Sequence, residues 1–122
     1  MTRLLCADDE EDMRVLLGFA LELAPEFEVE LVASGGEALA RARAVPFDAI
    51  VLDGLMPDMD GDEVCRRLKA DPATAGIPVI FLTAMGSDVE RAHLMAAGAL
   101  GIIAKPFDPI TLADEIQALL SR

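Results

Sequence analysis

Residues 4–13 read LLCADDEEDM. The apolar run Leu4-Leu5-Cys6-Ala7 ends abruptly at five consecutive acids, Asp8 to Asp12. The run lacks period-two alternation, which predicts a strand buried on both faces, as in a parallel sheet. Five adjacent like charges repel one another, so they call for a cation, a helix N-terminus or water.

The same pattern recurs along the chain. Leu4–Ala7, Val29–Ala33, Ala49–Leu52, Val79–Leu82 and Leu100–Ala104 read as strands. Amphipathic segments lie between and after them, near residues 12–24, 36–44, 61–70, 88–97 and 109–121. Ser34–Glu37 (SGGE) and Ser87–Glu90 (SDVE) match capping boxes. In FDPI, Asp108 stands at an N-cap and Pro109 at the first helical position. Five strands alternating with five helices predict an α/β fold, a doubly wound parallel sheet with helices on both faces. Right-handed crossovers restrict its topology.

The 122 residues predict a single domain spanning 1–122, and a 53% apolar fraction excludes disorder. With Lys plus Arg at 10 and Asp plus Glu at 22, the formal charge is −12. That balance argues against direct binding to nucleic acid or to anionic membranes. No secretion signal is visible and no apolar stretch is long enough to span a bilayer. Cys6 and Cys65 lack metal-ligand spacing and read as buried, reduced thiols, which predicts a cytoplasmic setting without membrane insertion.

In a doubly wound sheet, ligands sit at the carboxyl ends of the strands. Asp8 and Asp9 follow the first strand and Asp53 the third, in IVLDGLMPDMDG. Thr83 follows the fourth, in VIFLTAM, and Lys105 the fifth, in GIIAKPF. Each has an ordinary reading: Asp9 as a helix cap, Asp53 as a turn former, Thr83 as a strand residue, Lys105 as a solvated loop residue. Together they assemble three carboxylates, a hydroxyl and an ammonium at one sheet edge. Carboxylates, water and phosphate oxygens suit Mg²⁺. A carboxylate beside such a cation can attack a phosphoryl group and form an acyl phosphate. Thr83 and Lys105 are then suited to bind phosphoryl oxygens. Glu10, Glu11 and Asp12 fall in a helix first turn, where acids are favourable.

The acidic pair in ADDE, then LDGLMPDMDG, FLTA and KPF, in this order, resemble the receiver domains of two-component response regulators. The resemblance covers essentially the whole chain. It implies the flavodoxin-like strand order 2-1-3-4-5, for which a chemotaxis receiver is a standard example. It implies that Asp53 takes a phosphoryl group from a phosphohistidine on a histidine kinase or histidine phosphotransfer protein. Asp8, Asp9, Asp53 and the Leu55 carbonyl would hold Mg²⁺, Asp8 directly or through water, and Thr83 and Lys105 would bind the phosphoryl group. A cis peptide at Lys105–Pro106 is also implied. The role is that of a signalling phosphoacceptor rather than an enzyme. If the chain ends at Arg122, its output is onward phosphotransfer or contact with an output protein, with a homodimer through the fourth helix, fifth strand and fifth helix as one form.

Two departures from the family pattern involve three positions. Ile102 stands where many receivers carry an aromatic residue, so signalling is expected to run through Thr83 and the loop TAMGSD, with Gly86 giving it freedom. Leu55 and Met85 are apolar where polar residues are frequent, which predicts slow loss of phosphate.

Three rivals fit less well. A haloacid-dehalogenase-type phosphohydrolase usually has a second Asp two residues after the first, where this chain has Leu55. A nucleotide-binding module needs a G-x-G-x-x-G or G-x-x-x-x-G-K-[ST] motif, and neither is present. A histidine phosphotransfer protein resembles a helical bundle, so the sole histidine, His93, reads as an ordinary helix residue.

Overall fold

A computed structural model describes residues 1–84 and 87–121. Its elements alternate in chain order: β1 (Thr2–Ala7), α1 (Glu11–Glu22), β2 (Phe27–Val32), α2 (Gly35–Ala44), β3 (Ala49–Leu52), α3 (Gly61–Ala70), β4 (Val79–Thr83), α4 (Asp88–Ala96), β5 (Gly101–Ala104) and α5 (Leu112–Leu120). The five strands form one parallel sheet in the order β2-β1-β3-β4-β5. Cys6 pairs with Leu31 on one side and Val51 on the other.

Period-two geometry sorts each central strand between two helical layers. Leu5, Ala7, Ile50, Leu52, Val79 and Phe81 join a cluster with Leu39, Val64, Leu68 and Leu94 of α2, α3 and α4. Leu4, Cys6, Ala49, Val51, Ile80 and Leu82 face the other way, toward Leu17 and Leu21 of α1 and Leu112 and Ile116 of α5. This two-sided burial is why β1, β3 and β4 show no hydrophobic alternation.

The capping predictions meet mixed outcomes. Ser34 Oγ accepts the Glu37 N–H at 3.1 Å, and Glu37 Oε2 accepts the Ala33 N–H at 3.3 Å. Ser87 Oγ accepts the Glu90 N–H at 3.2 Å. Asp108 does not cap α5 at Pro109. Its Oδ1 accepts the Ile110 N–H at 2.9 Å, and its carbonyl accepts the N–H groups of Thr111 and Leu112, so a turn precedes a helix that begins at Leu112. The Asp side chain mimics a backbone turn and takes up residues that the sequence assigns to the helix. Asp9 does not cap α1 either: Glu10 holds the N-cap position, without a side-chain cap bond. Glu11 and Asp12 occupy the first turn, as expected.

Candidate functional site

The parallel ladder positions the site through its last bonds. The Asp8 N–H donates to the Val32 carbonyl at 3.1 Å, and the Asp53 N–H to the Ala7 carbonyl at 3.0 Å. The Lys105 N–H donates to the Thr83 carbonyl at 3.0 Å. Asp8, Asp53 and Lys105 therefore each continue a strand, and Thr83 is the last residue of β4, so all four are held at the same sheet edge. Carboxylate oxygens of Asp8, Asp9 and Asp53 lie within 4.8 Å of one another. Asp8, Asp53 and Thr83 are buried, at 1%, 7% and 6% exposure.

Lys105 ties the carboxylates together. Its Nζ lies 2.8 Å from Asp8 Oδ2 and 3.5 Å from Asp53 Oδ2. Burial opposes the ammonium charge, but the hydrogen bond to Asp8 and the charges of Asp53 and Asp8 hold the Lys105 pKa above its ordinary value. Burial pushes the Asp53 carboxyl up; Lys105 pulls it down, Asp8 raises it further, and the net result lies above the usual range. Asp53 Oδ1 also accepts the Leu55 N–H at 3.3 Å. The Asp8 main chain is fixed from α1, where Arg14 Nη1 donates to its carbonyl at 2.8 Å. The peptide Lys105–Pro106 is cis.

The donor set is made of hard oxygen ligands, two of the three carboxylates being buried, with a single ammonium between them. That chemistry fits Mg²⁺, which takes one or two carboxylates and keeps room for water and phosphate oxygens. A groove of about 410 Å³ opens beside Gly54, Leu55 and Thr83 and runs toward Asp62, His93 and Leu94.

The family model for the response regulator receiver domain matches residues 4–117. The chain belongs to that family. As a receiver domain it is 38% identical over 122 residues to the phosphate regulon transcriptional regulatory protein PhoB of Rhizobium meliloti, covering 100% of this chain and 53% of that one. It spans about half the length of the transcriptional regulators it matches. Its fold superposes on the chemotaxis response regulator CheY4 of Vibrio cholerae with a TM-score of 0.90, at 34% identity and 98% coverage of both chains. The receiver domain of a Pseudomonas aeruginosa sensor histidine kinase superposes with a TM-score of 0.88 at 27% identity, covering 99% of this chain and 98% of that one; that structure has a magnesium ion coordinated in its active-site cleft.

The structure brings together Asp8, Asp9, Asp53 and Lys105, with Thr83 at the end of the neighbouring strand. Leu55 is 72% exposed. Met85 and Gly86 lie outside the described residues. Ile102 packs half-buried against the α2–α3–α4 side of the core.

Other residues of the receiver domain carry roles that the sequence does not signal. Gly61 donates its N–H to the Gly54 carbonyl at 3.0 Å, and a Cβ there would strike the Asp53 carbonyl and the Phe81 ring. Asp58 accepts the N–H groups of Gly35 and Gly36 at 3.1 and 2.9 Å, tying the loop after β3 to the start of α2. His93 Nε2 on α4 pairs with Asp62 Oδ2 on α3 at 2.7 Å, and Arg66 reaches the same oxygen at 2.8 Å. Desolvation of Asp62 is outweighed by the hydrogen bonds from His93 and Arg66, which hold its carboxyl below the usual range.

Proposed function

We propose that this receiver domain, over residues 1–122, accepts a phosphoryl group on Asp53 from a phosphohistidine of a kinase or phosphotransfer protein. The observation that carries the reading is the approach of Lys105 to both Asp53 and Asp8 while Asp9 completes the carboxylate cluster. An Asp53 carboxylate oxygen attacks phosphorus, the P–N bond breaks, and its electron pair returns to the donor imidazole, leaving an acyl phosphate. Asp8, Asp9, Asp53 and the Leu55 carbonyl would hold Mg²⁺, which supplies positive charge to the phosphoryl oxygens when bound. Lys105 offers an N–H donor to a phosphoryl oxygen, and Thr83 offers its hydroxyl. The buried strand ends hold these groups in place before the phosphoryl group arrives.

Loss of phosphate requires a water in line with the phosphorus. Leu55 presents an exposed side chain with no hydrogen-bonding group to place that water. The acyl phosphate is accordingly long-lived. Among the described residues no helix is long and apolar enough to cross a membrane. Both cysteines are free and buried, and burial pushes the Cys6 thiol up to about 12, so they suit a reducing, cytoplasmic setting. The output is a changed protein contact, including self-association through α4, β5 and α5, or onward phosphotransfer.

Mass spectrometry after incubation with acetyl phosphate and Mg²⁺ tests the central claim. The wild type should gain one base-labile phosphate and Asp53→Asn none. Equal labelling of the variant would exclude Asp53 as the acceptor. Followed in time, the same spectra read the lifetime, which Leu55→Asn should shorten; an unchanged lifetime would remove the role given to Leu55.

A further inference from the structure

Thr83 ends β4 with its side chain buried against Gly54. A Cβ placed on Gly54 would stand 2.7 Å from Thr83 Oγ1, 3.2 Å from its Cβ and 3.5 Å from its Cγ2. The first two separations are well inside the roughly 3.5–4.0 Å at which non-bonded carbon contacts are optimal. All three nearest atoms belong to this one side chain. Gly61 differs, because a Cβ there meets main chain and an aromatic ring. Nor does the backbone require glycine at 54: among the described residues only Gly98 has positive φ, at 112°.

Neither main chain is free to yield. Thr83 pairs with Ala104 in the ladder, and its carbonyl accepts the Lys105 N–H. The Gly54 carbonyl accepts the Gly61 N–H. A side chain at 54 would therefore act on the Thr83 side chain. Threonine is stiff at χ1, so relief comes as a change of rotamer rather than a small tilt.

We propose that Gly54 is a positioning residue that, by presenting no side chain, leaves the space in which the Thr83 hydroxyl rests. It thereby sets the balance between that resting rotamer and the one that meets a group on Asp53. The inference rests on the reading of Thr83 as a phosphoryl-binding hydroxyl. A substituent at 54 removes the resting position and shifts the two-state balance before any phosphoryl group binds.

The test is a double-mutant cycle read by NMR. Wild type, Gly54→Ala, Thr83→Ala and the double variant are each recorded free and with beryllofluoride and Mg²⁺. In the free protein, Gly54→Ala should change the Thr83 methyl carbon shift, which reports χ1. It should also move amides of residues 87–94 toward their beryllofluoride-bound positions in the wild type. In the Thr83→Ala background the same substitution should lose most of its effect on those amides. Equal effects in both backgrounds, or an unmoved Thr83 methyl, would overturn the inference alone. A wild type that does not respond to beryllofluoride would overturn the phosphoacceptor reading, and this inference with it. Should Gly54→Ala fail to fold, the double variant decides: recovery supports the contact, and equal failure overturns it.

Discussion

Asp58 lies close to Asp53 in the chain, yet it serves a different helix. With Ser34 it satisfies the first N–H groups of α2, those of Gly35, Gly36 and Glu37. The N–H groups of Gly36 and Gly35 hold its carboxyl below the usual range. A lowered folded value contributes stability above the unfolded carboxylate pKa, and that contribution is lost as pH falls through the folded value. Asp58→Ala should cost about 1 kcal/mol near neutrality, the scale of a helix cap at an exposed position. The gap to wild type should close in acid, as read by urea unfolding at several pH values. A gap independent of pH would mean that packing, not charge, is lost. Asp8, Asp53, Thr83 and Lys105 were legible in the sequence because each adjoins an apolar run, and a doubly wound sheet brings all such ends together. Asp58 and Gly54 were not, since their partners, Gly35 and Thr83, are distant in sequence and nothing local marks either contact.

Helix α1 shows where hydrophobic periodicity is insufficient. Apolar residues occupy nearly its whole circumference, so the pattern predicts a helix but not which side faces the core. Leu17, Ala20 and Leu21 are buried, whereas Val15, Phe19 and the C-cap residue Leu23 are 63%, 66% and 58% exposed. Spaced four apart, these three form one stripe that leads away from the Asp8–Asp9 edge. Glu11, Asp12 and Glu22 are exposed on the same helix. If Asp53 takes its phosphoryl group from a partner protein, as proposed above, this exposed apolar stripe flanked by acids is a contact that a donor with an apolar face and a basic rim would complement. Because the ring is exposed, Phe19→Ala should change stability by no more than about 0.5 kcal/mol. Transfer from the donor protein should slow roughly tenfold, the scale of a modest interface anchor. Labelling by acetyl phosphate should be unchanged. If both labelling rates fall together, Phe19 supports the fold rather than the docking.

The whole molecule carries a formal charge of −12, and its candidate cation site lies within that field. Two effects of added Mg²⁺ must therefore be separated. Diffuse self-repulsion destabilises the compact state, and any salt relieves it by screening. Occupancy of the carboxylate cluster is specific and adds RT ln(1 + [Mg²⁺]/Kd), about 2.7 kcal/mol at a hundredfold excess over Kd. Thermal unfolding in MgCl₂ and in NaCl of matched ionic strength distinguishes them. The wild type should gain more from MgCl₂ than from NaCl. Asp9→Asn removes a carboxylate that caps no helix, so its metal-free form should be as stable as the wild type or more so, because repulsion with Asp8 and Asp53 falls. This variant should keep the NaCl response and lose most of the difference between the salts. If instead Asp9→Asn unfolds more readily without metal and keeps the Mg²⁺-specific gain, the acid is there for the fold. The tolerance of five adjacent acids after β1 would then need an explanation other than a bound cation.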